Sequence, residues 1–238
     1  MPNLHPLAIS LLMTSLTSAF VAILLFIFGK TKLHRLWVIF KLAISWWSFF
    51  IFMAVTAIDP HKTYYFWQLA HTVGIYVAVL YFQIVDTFCN LNYRKALIIA
   101  YLYGLFFDYF NWINGGEYLY SGVAHIFNSM NYLIAKNLPM TLIMIPWYVY
   151  AVFGIFKLWQ FYQSEQCTNK TQVKLWLIFT MLGYIGGSSP FLPMLGINIY
   201  PFAMFLLPIY VIVMVYVVFR HQFLNLQIVF EKSIVYTV

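Results

Sequence analysis

The chain has 238 residues, 63% hydrophobic and 8% charged, with a mean hydropathy of +0.82 and a formal net charge of +7. A soluble domain carries about a quarter charged residues, so this composition excludes a water-covered globule and points to an integral membrane protein. The positive charge is no sign of a nucleic-acid partner, because the basic residues stand scattered at the ends of apolar runs instead of gathering on one face.

A membrane-crossing helix needs about 20 apolar residues. Leu7–Gly29 is the first run that qualifies, and it is too long for a signal-peptide core. Lys30, Lys32 and Arg35 follow it at once. Leu36–Ile58 is the second span, with Lys41 placed to snorkel back to the headgroups. A short turn, Asp59-Pro60-His61-Lys62, leads to the third span, Tyr64–Phe88, which opens on Tyr64, Tyr65 and Trp67 as an aromatic belt. Ala96–Ile113 is the fourth. Asn111–Asn137 is a longer connection holding Gly115-Gly116, Glu117 and His125, with apolar residues too interrupted for a span. It reads as an interfacial segment or a lid. Leu138–Phe161 is the fifth span, with Pro139 tolerated in its first turn and Pro146 kinking it. Leu175–Leu195 is the sixth and Phe202–Phe219 the seventh.

The sixth span carries the densest punctuation in the chain: Gly183-Tyr-Ile-Gly186-Gly187-Ser-Ser-Pro190-Phe-Leu-Pro193-Met-Leu-Gly196-Ile-Asn-Ile-Tyr-Pro201. Gly183 and Gly187 lie four apart, so they share a helix face open to a neighbouring backbone. Pro190 cannot donate to the carbonyl of Gly186, so the helix should kink or end there. Ser188 and Ser189 are placed to satisfy the freed carbonyls. The stretch reads first as a packing and turning device and second as a ligand lining.

The fold class is therefore an all-α membrane protein, a bundle of seven transmembrane helices. Of the 13 Lys and Arg residues, only Lys62 and Lys136 fall on one side of such a bundle. Positive residues favour the cytoplasm, so the N-terminus is expected outside and the C-terminus inside. Residues 1–219 form the membrane module. Residues 220–238 alternate polar and apolar positions, as an amphipathic cytoplasmic linker would, and the rising hydrophobicity of Ser233–Val238 suggests a continuing chain.

Few side chains could carry chemistry. Asp86 and Asp108 are acidic residues inside spans, where a carboxylate is costly. They fall at different depths, so they do not read as an acid/base pair. His71, one turn after Trp67, reads as a buried neutral histidine bonded to a neighbour, or else as a ligand contact. Glu117 and His125 could meet a small molecule in the outer connection. Cys89 and Cys167 both sit beside basic, inward segments, where a disulfide is not expected. No Cys/His spacing suggests a metal site, no P-loop, Gly-x-Ser-x-Gly or His-Glu-x-x-His motif is present, and no cofactor is expected. The seventh span has no lysine for a retinal Schiff base.

The run Gly183–Pro201 resembles the N-terminal seven-helix region of bacterial sensor histidine kinases, which carries a Gly-aromatic-x-Gly-Gly element, Phe-Leu-Pro, a Gly and a Tyr-Pro before its last helix. The exit Val215-Tyr-Val-Val-Phe-Arg-His-Gln-Phe-Leu-Asn-Leu-Gln-Ile and the segment Trp67-Gln-Leu-Ala-His71-Thr-Val-Gly74 are similar to that family as well. Asn225 stands where the family often has Asp, and Phe82 or Gln83 where it often has His. The resemblance implies a sensory input module in a bacterial cell membrane, in contact with lipid, answering an unidentified small-molecule or physical stimulus, and able to form a homodimer. These 238 residues hold no phosphoacceptor histidine box and no ATP lid, so they are not themselves an enzyme. A small-molecule transporter and a non-catalytic membrane scaffold are the alternatives.

Overall fold

A computed structural model of the chain describes residues 5–127 and 130–220. The expected linker falls almost entirely outside the described residues. Nine helices and one hairpin are described, in the order α1 (Pro6–Phe28), α2 (Lys32–Thr56), α3 (Pro60–Gly74), α4 (Tyr76–Cys89), α5 (Arg94–Trp112), β1 (Tyr120–Ile126), β2 (Met130–Ala135), α6 (Asn137–Gln163), α7 (Lys170–Ser188), α8 (Phe191–Met194) and α9 (Leu206–Arg220). Six segments are long and apolar enough to cross a membrane, with α3 and α4 counting as one. A seventh, Phe202–Val213, is apolar but shorter among the described residues. The molecule is thus a predominantly helical bundle of the multi-pass membrane type.

The helix starts follow local chemistry. His5 Nδ1 accepts the Leu7 N–H at 3.2 Å ahead of Pro6. Thr31 and His34 form a reciprocal capping box at the head of α2. Asp59 caps α3, with Pro60 in the first position where its missing N–H costs little. The α1 and α2 helices pack together through small polar residues, Ser15 Oγ lying 3.0 Å from the Ser45 carbonyl, and such residues let helix backbones approach in an apolar medium. The α9 helix packs between α1 and α7 and closes the ring.

The faces away from the ring are apolar. On α2, Ile39, Leu42, Trp46 and Phe49 are exposed, while Trp37, Ile44, Ser48 and Ile51 point inward. Lys41 belongs to the inward stripe. It does not snorkel: it is 1% exposed, and Nζ lies 4.6 Å from the Tyr210 ring and 5.6 Å from that of Trp37.

The Asn111–Asn137 connection, expected as an interfacial segment or a lid, passes through a 3₁₀ turn at Ile113–Gly116 into an antiparallel hairpin packed against the bundle, the one non-helical element described in a predominantly helical fold. Tyr120 pairs with Ala135 and Ile126 with Met130, with an irregularity between Tyr120 and Gly122. The hairpin is held by its own buried residues, Met130, Tyr132 and Leu133, and by bonds to the bundle. Asn131 Nδ2 donates to the Ala57 and Ile58 carbonyls, and Tyr132 Oη donates to the Pro190 carbonyl at 2.9 Å. Two-stranded ribbons are marginal alone, and here the bundle supplies the missing packing surface.

Candidate functional site

The third expected span is interrupted halfway. Between α3 and α4, the Gly74 carbonyl accepts the Trp147 indole N–H at 3.2 Å. A Cβ at Gly74 would stand 2.5 Å from Trp47 Cδ1, so only glycine lets that indole pack here. Around this interruption lies a cavity of about 70 Å³. Its walls come from α2, the α3–α4 junction, α5, α6, α7, α8 and α9.

His71 is its most informative wall residue. The residue is 4% exposed, and its ring lies near-parallel to those of Tyr120 and Phe191, with centroids 5.7 and 6.2 Å away and interplanar angles of 17° and 12°. Its Nδ1 lies 2.8 Å from Tyr120 Oη. The Tyr120 hydroxyl proton is committed elsewhere, donating to Asn111 Oδ1 at 2.6 Å. Asn111 is fixed in that orientation, because its Nδ2 donates to the Gln68 carbonyl at 3.0 Å and to Thr72 Oγ1 at 3.1 Å. Burial pushes the Tyr120 phenol well up from its ordinary range, so it stays a donor. Tyr120 can then only accept from His71. The imidazole therefore carries its proton on Nδ1 and presents a bare lone pair at Nε2. That Nε2 is buried and has no hydrogen-bond partner among the described residues.

Two further wall residues have buried oxygens in the same condition, Thr180 Oγ1 and Tyr184 Oη on α7. Tyr81 Oη is close enough to Thr180 to interact with it, without hydrogen-bond geometry. The remaining walls are apolar or aromatic, led by Phe40, Ile44, Trp47, Phe107, Met144 and Trp147.

The glycine motif divides its labour differently from the sequence expectation. Gly186 is the close-packing residue, since an added Cβ would stand 2.9 Å from the Ala203 carbonyl. Gly183 faces the Tyr210 ring at ordinary contact distance. Gly187 faces nothing within 4 Å and lines the cavity. The helix ends at Ser188, before Pro190, and Ser189 Oγ takes up the Gly186 carbonyl at 2.8 Å, as expected. Pro193 is buried in α8. The α8 turn closes in a Schellman arrangement: Ile197 N–H donates to the Leu192 carbonyl and Gly196 N–H to that of Pro193, which sets Gly196 at φ +81°. Pro201 then leads into a short 3₁₀ turn at Phe202–Phe205 before α9.

The other expected site residues are dispersed. Asp86 fastens the α4–α5 turn, its Oδ1 accepting the Tyr93 N–H at 2.8 Å. Asp108 accepts from Tyr76 Oη at 2.9 Å, one layer away from the cavity lining. The two carboxylates form no pair. Glu117 and His125 are exposed, Glu117 three residues before the start of β1 and His125 near its far end, where its Nδ1 lies 3.3 Å from Asn131 Oδ1. No cluster of three His, Cys, Asp or Glu residues suited to a metal occurs among the described residues. Cys89 and Cys167 are buried free thiols.

The fold and the cavity together define a multi-pass membrane-type bundle with a mostly apolar pocket between its helices. Comparison with protein-family models, curated proteins and solved structures yields no match for the chain.

Proposed function

We propose that the chain is a sensory input module that crosses a bacterial membrane seven times, N-terminus outside, and that filling of the cavity biases the packing of α7 against α9. The observation that carries this reading is the composition of the cavity wall. It joins Gly183 and Gly187 of α7 to Leu207 and Tyr210 of α9, the helix that leads toward residues 220–238. A ligand can shift a conformational equilibrium only through differential contact with its states, and this wall contains both partners of one helix interface. The resemblance of Gly183–Pro201 to the seven-helix region of sensor histidine kinases supports an output domain joined through the linker. The basic bias supports a cytoplasmic location for that output.

The test uses Gly187→Leu, which fills the cavity from a position where a Cβ meets nothing. With Cys89 and Cys167 replaced by Ala, spin labels are placed at Lys174 and Ile212 in a lipid nanodisc. Interface helices shift by about 1–2 Å in such transitions, so Gly187→Leu should displace the distance distribution by that amount. Unchanged distributions overturn the reading.

The interruption of α3–α4 beside the cavity favours one rival, a carrier, because discontinuous helices often hold a transported solute. Net uptake of a small solute by vesicles holding only this chain would favour the carrier over the sensor.

A further inference from the structure

Resting on the reading of this cavity as the regulatory site, we infer that its ligand is a small uncharged molecule of about three to five non-hydrogen atoms that donates an O–H or N–H to His71 Nε2. Size comes first. An engineered apolar cavity of about 150 Å³ accepts benzene, with six heavy atoms. The present cavity, about 70 Å³, is roughly half as large.

Polarity is set by the three uncommitted atoms. His71 Nε2 can only accept, because its partner nitrogen holds the proton against Tyr120. A buried acceptor left unmatched is costly, so a ligand bearing a donor is selected over one without. The Thr180 and Tyr184 hydroxyls can donate to an oxygen or accept from it, so an alcohol satisfies both α3 and α7. The rest of the lining matches a short hydrocarbon.

Charge is excluded from both directions. Among the described residues no Asp, Glu, Lys or Arg lines the cavity. Lys41 Nζ lies 5.8 and 4.6 Å from the centres of the Phe40 and Tyr210 rings, so its contacts are with the rings of two lining residues. The lone pair of Nε2 disfavours an anion directly.

The experiment is a ¹⁵N titration of the histidine-labelled full chain in nanodiscs, with the His71 signal assigned through His71→Phe. The probes are 1-butanol and its linear isostere methyl propyl ether, which enter the bilayer alike but differ in the donor. A saturable upfield shift of Nε2 is expected with butanol, with apparent affinity about tenfold or more above that for the ether. Gly187→Leu should abolish it. Equal saturation by the ether overturns the donor assignment. A shift that survives in Gly187→Leu overturns the site. A Nε2 already hydrogen-bonded before addition and unresponsive to butanol means that water owns the cavity, which also overturns the proposal. Butanol saturation without any α7–α9 displacement would remove the sensor reading and leave the ligand assignment standing. Helix displacement in Gly187→Leu, with no saturable butanol shift in the unsubstituted chain, would do the reverse.

Discussion

A four-residue network at the hairpin end of the bundle and the polar groups around Lys41 obey opposite rules, with Trp67 Nε1, beside Tyr132 of the hairpin, standing outside that network without a partner among the described residues. Near the hairpin, Gln68, Thr72, Asn111 and Tyr120 form a closed network: Gln68 Nε2 donates to the Asn111 and Gly115 carbonyls, and Trp112 Nε1 donates to Thr72 Oγ1. Each donor has a stated acceptor. Around Lys41, by contrast, Lys41 Nζ, Tyr81 Oη, Thr180 Oγ1 and Tyr184 Oη are buried without one among the described residues. The cavity lies at the boundary, and His71 belongs to both regimes, with Nδ1 in the network and Nε2 outside it. A satisfied network fixes geometry, whereas uncommitted polar atoms in a low-dielectric interior leave free energy available for a ligand or a rearrangement.

The largest effect should come from breaking the closed network at its centre. Asn111 is fully buried and makes three side-chain bonds across two helices and the hairpin. Asn111→Leu keeps the four-atom branched side chain, in a larger volume, while removing all three bonds. With orphaned buried groups costing about 1–3 kcal/mol each, a loss of about 2–4 kcal/mol is expected in reversible unfolding in mixed micelles. A change below 0.5 kcal/mol, on the order of an exposed substitution, would show that the network does not hold the hairpin.

The opposite sign is expected on the other side of the boundary. Lys41 sits among aromatic rings with no carboxylate partner among the described residues. Cation–π contact returns part of the desolvation cost, but an ionisable residue inside a span still costs about 2.5–3.5 kcal/mol at the centre. Lys41→Met should therefore raise stability by about 1–3 kcal/mol in the same assay. Destabilisation would mean that the cage is matched to the lysine, and the contrast between the two regions would fail.

Much of this architecture is legible in the sequence, and the failures have physical causes. The spans follow from uninterrupted apolar runs, and the end of α7 from Pro190 and the serines before it. The separation of Asp86 from Asp108 follows from their positions along successive antiparallel helices. The inward direction of Lys41 was also readable: Trp37, Lys41, Ile44 and Ser48 fall on one stripe, opposite Ile39, Leu42, Trp46 and Phe49. Proximity to the basic segment hid it. The hairpin was not legible, because Ser121, Gly122 and His125 break its alternation and its stability comes from helices elsewhere in the chain. Nor was the cavity, because the choice between Gly186 and Gly187 as packing residue depends on where Ala203 and Leu207 arrive. His71 was legible as a buried, bonded histidine, but its tautomer is set by Tyr120, 49 positions away.

That tautomer is the finest point at which the two regimes can be separated. Tyr120→Phe removes one hydroxyl that accepts from His71 Nδ1 and donates to Asn111 Oδ1. The expected stability loss is about 1–2 kcal/mol, less than for Asn111 because the amide keeps its two donated bonds. The stronger consequence is chemical. In the natural protein, ¹⁵N shifts and couplings should show His71 protonated at Nδ1 alone. In Tyr120→Phe neither nitrogen has a designated partner, so the ring should populate both tautomers, and Nε2 becomes a donor for part of the molecules. An alcohol oxygen or an ether oxygen can accept from that N–H, so the preference for butanol over methyl propyl ether should shrink in step with the Nε2–H population. A natural protein found with the proton on Nε2 would place His71 wholly on the network side. A Tyr120→Phe variant that keeps Nδ1–H and full alcohol preference would show that the hairpin does not set the chemistry of the cavity.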